Sequence, residues 1–202
     1  MIPIENLLHD MTLDEKIGQL TMGNIGGAIH SSNPSDDDLL DDLRAGRLGS
    51  LIGIYGERAI ARLQRVAVEE TRLRIPLIFA CDVMHGYRSI FPVPLGEASA
   101  FDPDLWTRTG RVAAEETRAD GVTMTFAPMT DVTRDPRWGR GQETYGEDPF
   151  LTSRIGIVHH AESGDDVREV ARKLIEQYAP GGEVLLDECI AVLAHSGHCR
   201  AL

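Results

Sequence analysis

At 202 residues the chain is long enough for one domain or a domain and a half, and a hydrophobic content of 42% suffices for a real core. A net charge of −12 and a pI near 4.9 argue against a nucleic-acid or anionic-membrane partner, and no apolar run approaches the length of a membrane span. The three cysteines, Cys81, Cys189 and Cys199, are an odd set in a chain that is no small disulfide scaffold, and residues 1–16 lack a basic segment followed by an apolar one, so reduced thiols in a cytoplasmic protein are expected.

In chain order, Thr12 has the character of a helix N-cap, and Glu15 three residues on completes a capping box. Leu13, Ile17 and Leu20 then share one helical face, which predicts burial of that face. Residues 25–42 are rich in Gly, Ser and Asp and read as a loop running into a short acidic helix. Residues 48–55, LGSLIGIY, read as a short buried strand. A helix is expected over 57–72, with Ile60, Leu63, Ala67 and Glu70 marking its turns. After Pro76 comes a second apolar strand over 76–83. Asp102-Pro103 opens a helix reaching Asp120, with Trp106, Thr109, Val112 and Ala113 on one side. Residues 122–132 are expected to form a third strand.

The stretch 133–150, TRDPRWGRGQETYGEDPF, is too densely charged for a core strand or an amphipathic helix. It suits a surface loop that grips a hydroxyl-rich ligand with forked guanidinium donors, carboxylate acceptors and an aromatic face. The alternative is a solvated, self-paired ion cluster.

Near-continuous apolar strands alternating with helices indicate a parallel sheet with crossover helices. A (β/α) barrel and a doubly wound open sheet both place their site at the C-terminal ends of the strands, where the 84–91 and 133–148 loops emerge. No glycine-rich dinucleotide fingerprint and no phosphate-binding P-loop is present, so no cofactor is expected.

Four blocks, MTLDEKIGQL at 11–20, PLIFACDVMHG at 76–86, FPVPLGEASAFDPDL at 91–105 and MTFAPMTDVTRDPRWGRGQETYGEDPFLTS at 124–153, together resemble the N-terminal part of the catalytic domain of glycoside hydrolase family 3, the β-glucosidase and β-xylosidase type. The resemblance implies an α/β fold: an incomplete (β/α)8 TIM-type barrel of about three βα units over 1–156, followed by a divergent and mostly helical tail over 157–202. It implies a small β-glycoside or oligosaccharide as ligand. Asp82 resembles the family's acidic residue that accepts hydrogen bonds from sugar hydroxyls in the −1 subsite, and Arg140 the arginine that donates to them. Both roles suit the chemistry, since a carboxylate is acceptor-only and a guanidinium donor-only. On the residues alone, Asp82 could instead cap a helix or pair with His85. His85 either lines the pocket or bonds to a backbone carbonyl. Arg134, Asp135, Arg137, Glu143 and Asp148 are expected to hold the loop rigid through internal pairs, leaving Arg140 as the free donor.

The departures are as informative. The family hydrolyses with retention, through a nucleophile and a general acid/base. The nucleophile is an Asp in an S-D-W-type motif, and this sequence has no such tripeptide. The family's Lys-His pair is also absent, since neither Lys16 nor Lys173 precedes a His. Catalytic residues are therefore not assigned. In the tail, 165–179 reads as an amphipathic helix stopped by Pro180-Gly181-Gly182. Cys189, His195, His198 and Cys199 lack standard zinc-ligand spacing, so no metal is expected. The sequence thus predicts either part of a β-glucosidase-type hydrolase with a partial sugar site, or a non-catalytic truncated or fused fragment that binds sugar weakly or needs a partner chain. Stopping the sheet after about three strands would leave an open edge for self-association.

Overall fold

In the computed structural model of the chain, which describes residues 4–24 and 36–161, helix α1 spans Ile4–Asp10 and α2 spans Leu13–Gln19. The capping box forms: the Thr12 hydroxyl accepts from the Glu15 N–H at 3.2 Å, and the Glu15 carboxylate accepts from the Thr12 N–H at 2.8 Å. The expected burial of the Leu13, Ile17 and Leu20 face does not hold; these side chains are 71%, 54% and 89% exposed. The reason is that α2 approaches its neighbours through a glycine. A Cβ on Gly18 would lie 2.0 Å from the Gly46 carbonyl oxygen, so this backbone contact turns the apolar stripe outward. The helix is held on its polar side, where Arg72 donates to Glu15 (Nε–Oε1 2.8 Å) and to the Asp10 carbonyl (2.9 Å).

The sheet has four strands in the order β1-β2-β3-β4: β1 Met22–Asn24, β2 Ser50–Ile52, β3 Ile78–Cys81 and β4 Met124–Thr125. β1, β2 and β3 run parallel, with Gly23 opposite Leu51 and Leu51 opposite Phe79. Between them come α3 (Asp36–Arg44) and α4 (Glu57–Arg65), the latter continuing into a π-helical turn at Val66–Glu70. Ile60, Leu63 and Ala67 are buried as their spacing predicts, while Glu70 is exposed and pairs with Arg44 at 2.7 Å.

Two strands correct the sequence reading. β1 is unforeseen because three residues with a central glycine carry no alternation to detect. The expected strand over 122–132 contributes only Met124–Thr125 to the sheet. Its apolar run continues, with Ala127 and Met129 buried, but Pro128 has no N–H to offer a ladder.

The described residues fall into two compact units: those up to Cys81 together with Ala119–Thr123, and Asp82–Arg118 together with the residues from Met124 onward. In the first, Thr123 joins the end of the sheet, its N–H donating to the Phe79 carbonyl at 2.9 Å. The second contains α5 (Pro94–Ala98), α6 (Pro103–Ala119, but for its last residue) and α7 (Pro149–Ala161). Asp102 caps α6 as expected, accepting from the N–H groups of Asp104 and Leu105 at 3.0 and 3.2 Å. The predicted inner side is buried at Trp106, Thr109 and Ala113 and half-buried at Val112. Trp106 packs with Ala98, Tyr145 and Ile155, and its indole N–H donates to the Glu97 carbonyl at 3.0 Å. The expected tail helix over 165–179 and the Cys189, His195, His198 and Cys199 set lie outside the described residues.

Glu97 is 3% exposed in this core. Burial raises its pKa, and the Thr109 hydroxyl donating to it offsets the rise only in part. The ionisable neighbour facing it is Tyr145, whose phenol is pushed up by burial and then by the Glu97 charge. A carboxyl whose folded pKa lies above its unfolded value contributes stability that is fully present below the unfolded pKa and lost as pH rises through the folded one. The Glu97→Gln variant is therefore expected to unfold at a higher temperature than wild type at pH 7, with the difference vanishing towards pH 4. Thermal melts across that range check this; equal melting temperatures at pH 7 would contradict it.

Candidate functional site at Asp82 and Arg140

Asp82 directly follows Cys81, the last residue of β3, and is exposed. The loop behind it closes on itself. Gly86 bridges to both Met84 and Ile90, and the Phe91 N–H donates to the His85 carbonyl at 2.8 Å. Of the two readings for His85, the backbone one is seen: its Nδ1 lies 3.2 Å from the Phe91 carbonyl oxygen. This closure requires glycine, because Gly86 has φ +100° and a Cβ there would meet the Ser89 carbonyl oxygen at 1.9 Å. The tip is held from α6, where the Glu116 carboxylate accepts from the N–H groups of Arg88 and Ser89, each at 2.8 Å, and from the Ser89 hydroxyl at 2.6 Å.

The arginine loop is built from two 3-10 turns, Pro136–Trp138 and Gly141–Glu143, with Arg140 between them. Asp135 accepts from the Arg137 backbone at 2.9 Å and pairs with its guanidinium, as expected of loop-supporting residues. Asp148 supports the loop by a different means: its carboxylate accepts from the Phe150 N–H at 2.9 Å and starts α7. Arg134 departs from expectation, being exposed and without an ion pair among the described residues. Its guanidinium adds nothing to loop rigidity there.

Arg140 also departs from expectation. It is not the loop's free donor but pairs with Glu143, Nε–Oε2 at 2.8 Å and Nη2–Oε2 at 2.6 Å, because the 3-10 turn brings positions three apart together. The Glu143 hydrogen bond raises its pKa most, and the charges of Asp131 and Asp82 add to the effect. Arg140, Asp82 and Asp131 therefore share one electrostatic neighbourhood, with the Arg140 side chain still 53% exposed. Asp131 and Glu116 were not foreseen. Asp131 lies inside the run that reads as a strand, and Glu116 borders the buried face of α6, where its pairing with a distant turn has no sequence signature.

A cavity of about 240 Å³ lies elsewhere, at the N-terminal ends of β2 and β3, walled by Glu15, Gln19, Arg44, Leu48, Arg72 and Ile75 among others. None of the predicted site residues lines it. Arg44 and Arg72, which line it, are already engaged with Glu70 and Glu15. Among the described residues no His, Cys, Asp and Glu side chains cluster as a metal site.

The sequence profile of the glycosyl hydrolase family 3 N terminal domain matches residues 12–162. The chain belongs to glycosyl hydrolase family 3. This family 3 chain is 44% identical over 153 residues to a periplasmic β-glucosidase of Salmonella typhimurium, an alignment covering 76% of the chain and 19% of that protein. It is 32% identical over 170 residues to a putative β-xylosidase of Formosa agariphila, covering 76% and 22%. A solved β-glucosidase of Listeria innocua in complex with glucose superposes with a TM-score of 0.69 at 36% identity, over 80% of this chain and 24% of that one. The family 3 chain thus spans about a fifth of the length of the curated relatives it matches.

Proposed function

We propose that this chain carries part of the sugar-binding site of a β-glucosidase-type glycoside hydrolase. Asp82 accepts hydrogen bonds from a pair of sugar hydroxyls, and Arg140 donates to them. The observation that carries this reading is the Arg140 guanidinium, oriented by Glu143 yet half exposed, with the charges of Asp131 and Asp82 in its neighbourhood. The Glu143 pair does not exhaust Arg140. A guanidinium has about five N–H donors, of which those on Nε and Nη2 point at Glu143. The remaining N–H groups are available to a diol, held in a plane fixed by the pair. The family relationship to a β-glucosidase solved with glucose supports a glucose-like ligand.

NMR titration of the chain with glucose tests the assignment. Asp82→Asn exchanges an acceptor for a mixed donor-acceptor group, and Arg140→Ala removes the donor. Each is expected to weaken glucose binding about ten-fold or more, in line with a charged hydrogen bond to ligand. Wild-type affinity in both variants would remove the site.

A second reading, a fragment that binds sugar without turning it over, is favoured by one feature: the sequence holds no S-D-W motif to supply a nucleophile. The two readings share the sugar site and differ in whether this chain alone can catalyse.

A further inference from the structure

We infer that Glu116 is a positioning residue for the sugar site, fixing from α6 the loop that runs from Asp82 through His85 to Phe91. The inference rests on the assignment of Asp82 as a sugar ligand. The loop is tightly folded: Gly86 faces the Ser89 carbonyl with no room for a Cβ, and His85 and Phe91 are joined through the backbone. Such a turn leaves the N–H groups at its tip without partners inside the loop. Both Arg88 and Ser89 send theirs to one oxygen of Glu116, and the Ser89 hydroxyl occupies the other. Two successive backbone donors aimed at one anion form a concave nest, an arrangement that selects a single backbone conformation.

The anchor itself is firm. Glu116 stands in a helix of 17 residues, at the edge of the face that buries Thr109 and Ala113, seven and three positions before it. Its carboxyl is held below its ordinary range, the Ser89 hydroxyl contributing most, so the charged acceptor persists through mildly acid pH. One carboxylate outside the ligand surface thereby fixes the shape of the segment that presents His85 and follows Asp82. A surface glutamate serving only solubility would leave these donors to water.

The test uses the full chain, glucose as the probe and three variants. Glu116→Gln keeps an acceptor for the two N–H groups and an amide for the Ser89 hydroxyl, and is expected to stay within about three-fold of wild-type glucose affinity. Glu116→Ala removes all three bonds and is expected to weaken glucose binding about ten-fold, with faster amide exchange at Arg88 and Ser89 and unchanged exchange in the middle of α6. Unchanged affinity in Glu116→Ala overturns the inference, as does equal loss in Glu116→Gln and Glu116→Ala. Should Glu116→Ala fail to fold, Ser89→Ala deletes only the hydroxyl contact and is expected to weaken binding about three-fold; wild-type affinity in it overturns the inference instead. A wild-type chain that binds no glucose sinks the sugar-site assignment, and the role of Glu116 with it. Failure confined to the variants sinks the role alone.

Discussion

The purified 202-residue chain is expected to hydrolyse no aryl β-glucoside above buffer background. A retaining glycosidase needs a carboxylate nucleophile and a second carboxyl acting as acid and then base. General acid–base assistance alone is worth about 10²–10⁴-fold, and enzymes as a class gain about 10⁶-fold or more over the uncatalysed reaction. Release of nitrophenol that survives repurification and disappears in Asp82→Asn would overturn this expectation.

Gly86→Ala is expected to cost roughly 2–3 kcal/mol in the unit that holds it and to abolish detectable glucose binding, because it combines a left-handed backbone with a collision. The new Cβ would meet the Ser89 carbonyl oxygen at 1.9 Å and the Phe91 ring at 3.0 Å. Relief requires opening the loop, which breaks the His85–Phe91 backbone bond and pulls Ser89 from Glu116. Gly56→Ala is the matched control, since φ there is +92° but no atom lies within 4 Å of its Cβ. Its cost should be limited to the backbone preference, about 1 kcal/mol. Chemical denaturation of both variants separates the contributions. Equal losses in the two would show that the collision at Gly86 is relieved without opening the loop.

What could be read from the sequence was local chemistry repeated at short range. The Thr12–Glu15 box, the Asp102 cap and the buried Trp106, Thr109 and Ala113 face all follow from spacings of three or four residues. The Asp135–Arg137 pair is of the same kind. What escaped depended on partners distant in sequence or on backbone approach. Leu13, Ile17 and Leu20 have the pattern of a buried face, but Gly18 is the residue that docks, and the decisive contact is with Gly46. Arg140 was expected to be free because no rule of composition shows that 141–143 will coil into a 3-10 turn and deliver Glu143. The Glu116 anchor joins residues 27 and 28 positions apart, a separation at which pairing of one glutamate with one turn has no signature. The family resemblance pointed to Asp82 and Arg140 as proposed sugar ligands, and the fold adds Glu143 beside Arg140 and Glu116 beneath the 82–91 loop.

The attachment of the two opening helices has a consequence of its own. α1 buries no side chain and α2 buries only Gly18, so little oil-like contact fastens them. Arg72 does much of that work, reaching back over 57 and 62 positions to Glu15 and the Asp10 carbonyl. The same pairing holds the Glu15 carboxyl down at about 2. This start of the chain behaves as an ionic latch. Acid that protonates Glu15 or salt that screens its partner loosens it, while the sheet, whose Leu51 and Phe79 are sealed from water, is untouched. Brine, or acid strong enough to approach the pH of about 2 at which Glu15 takes up its proton, should therefore peel the chain from its first helices inward.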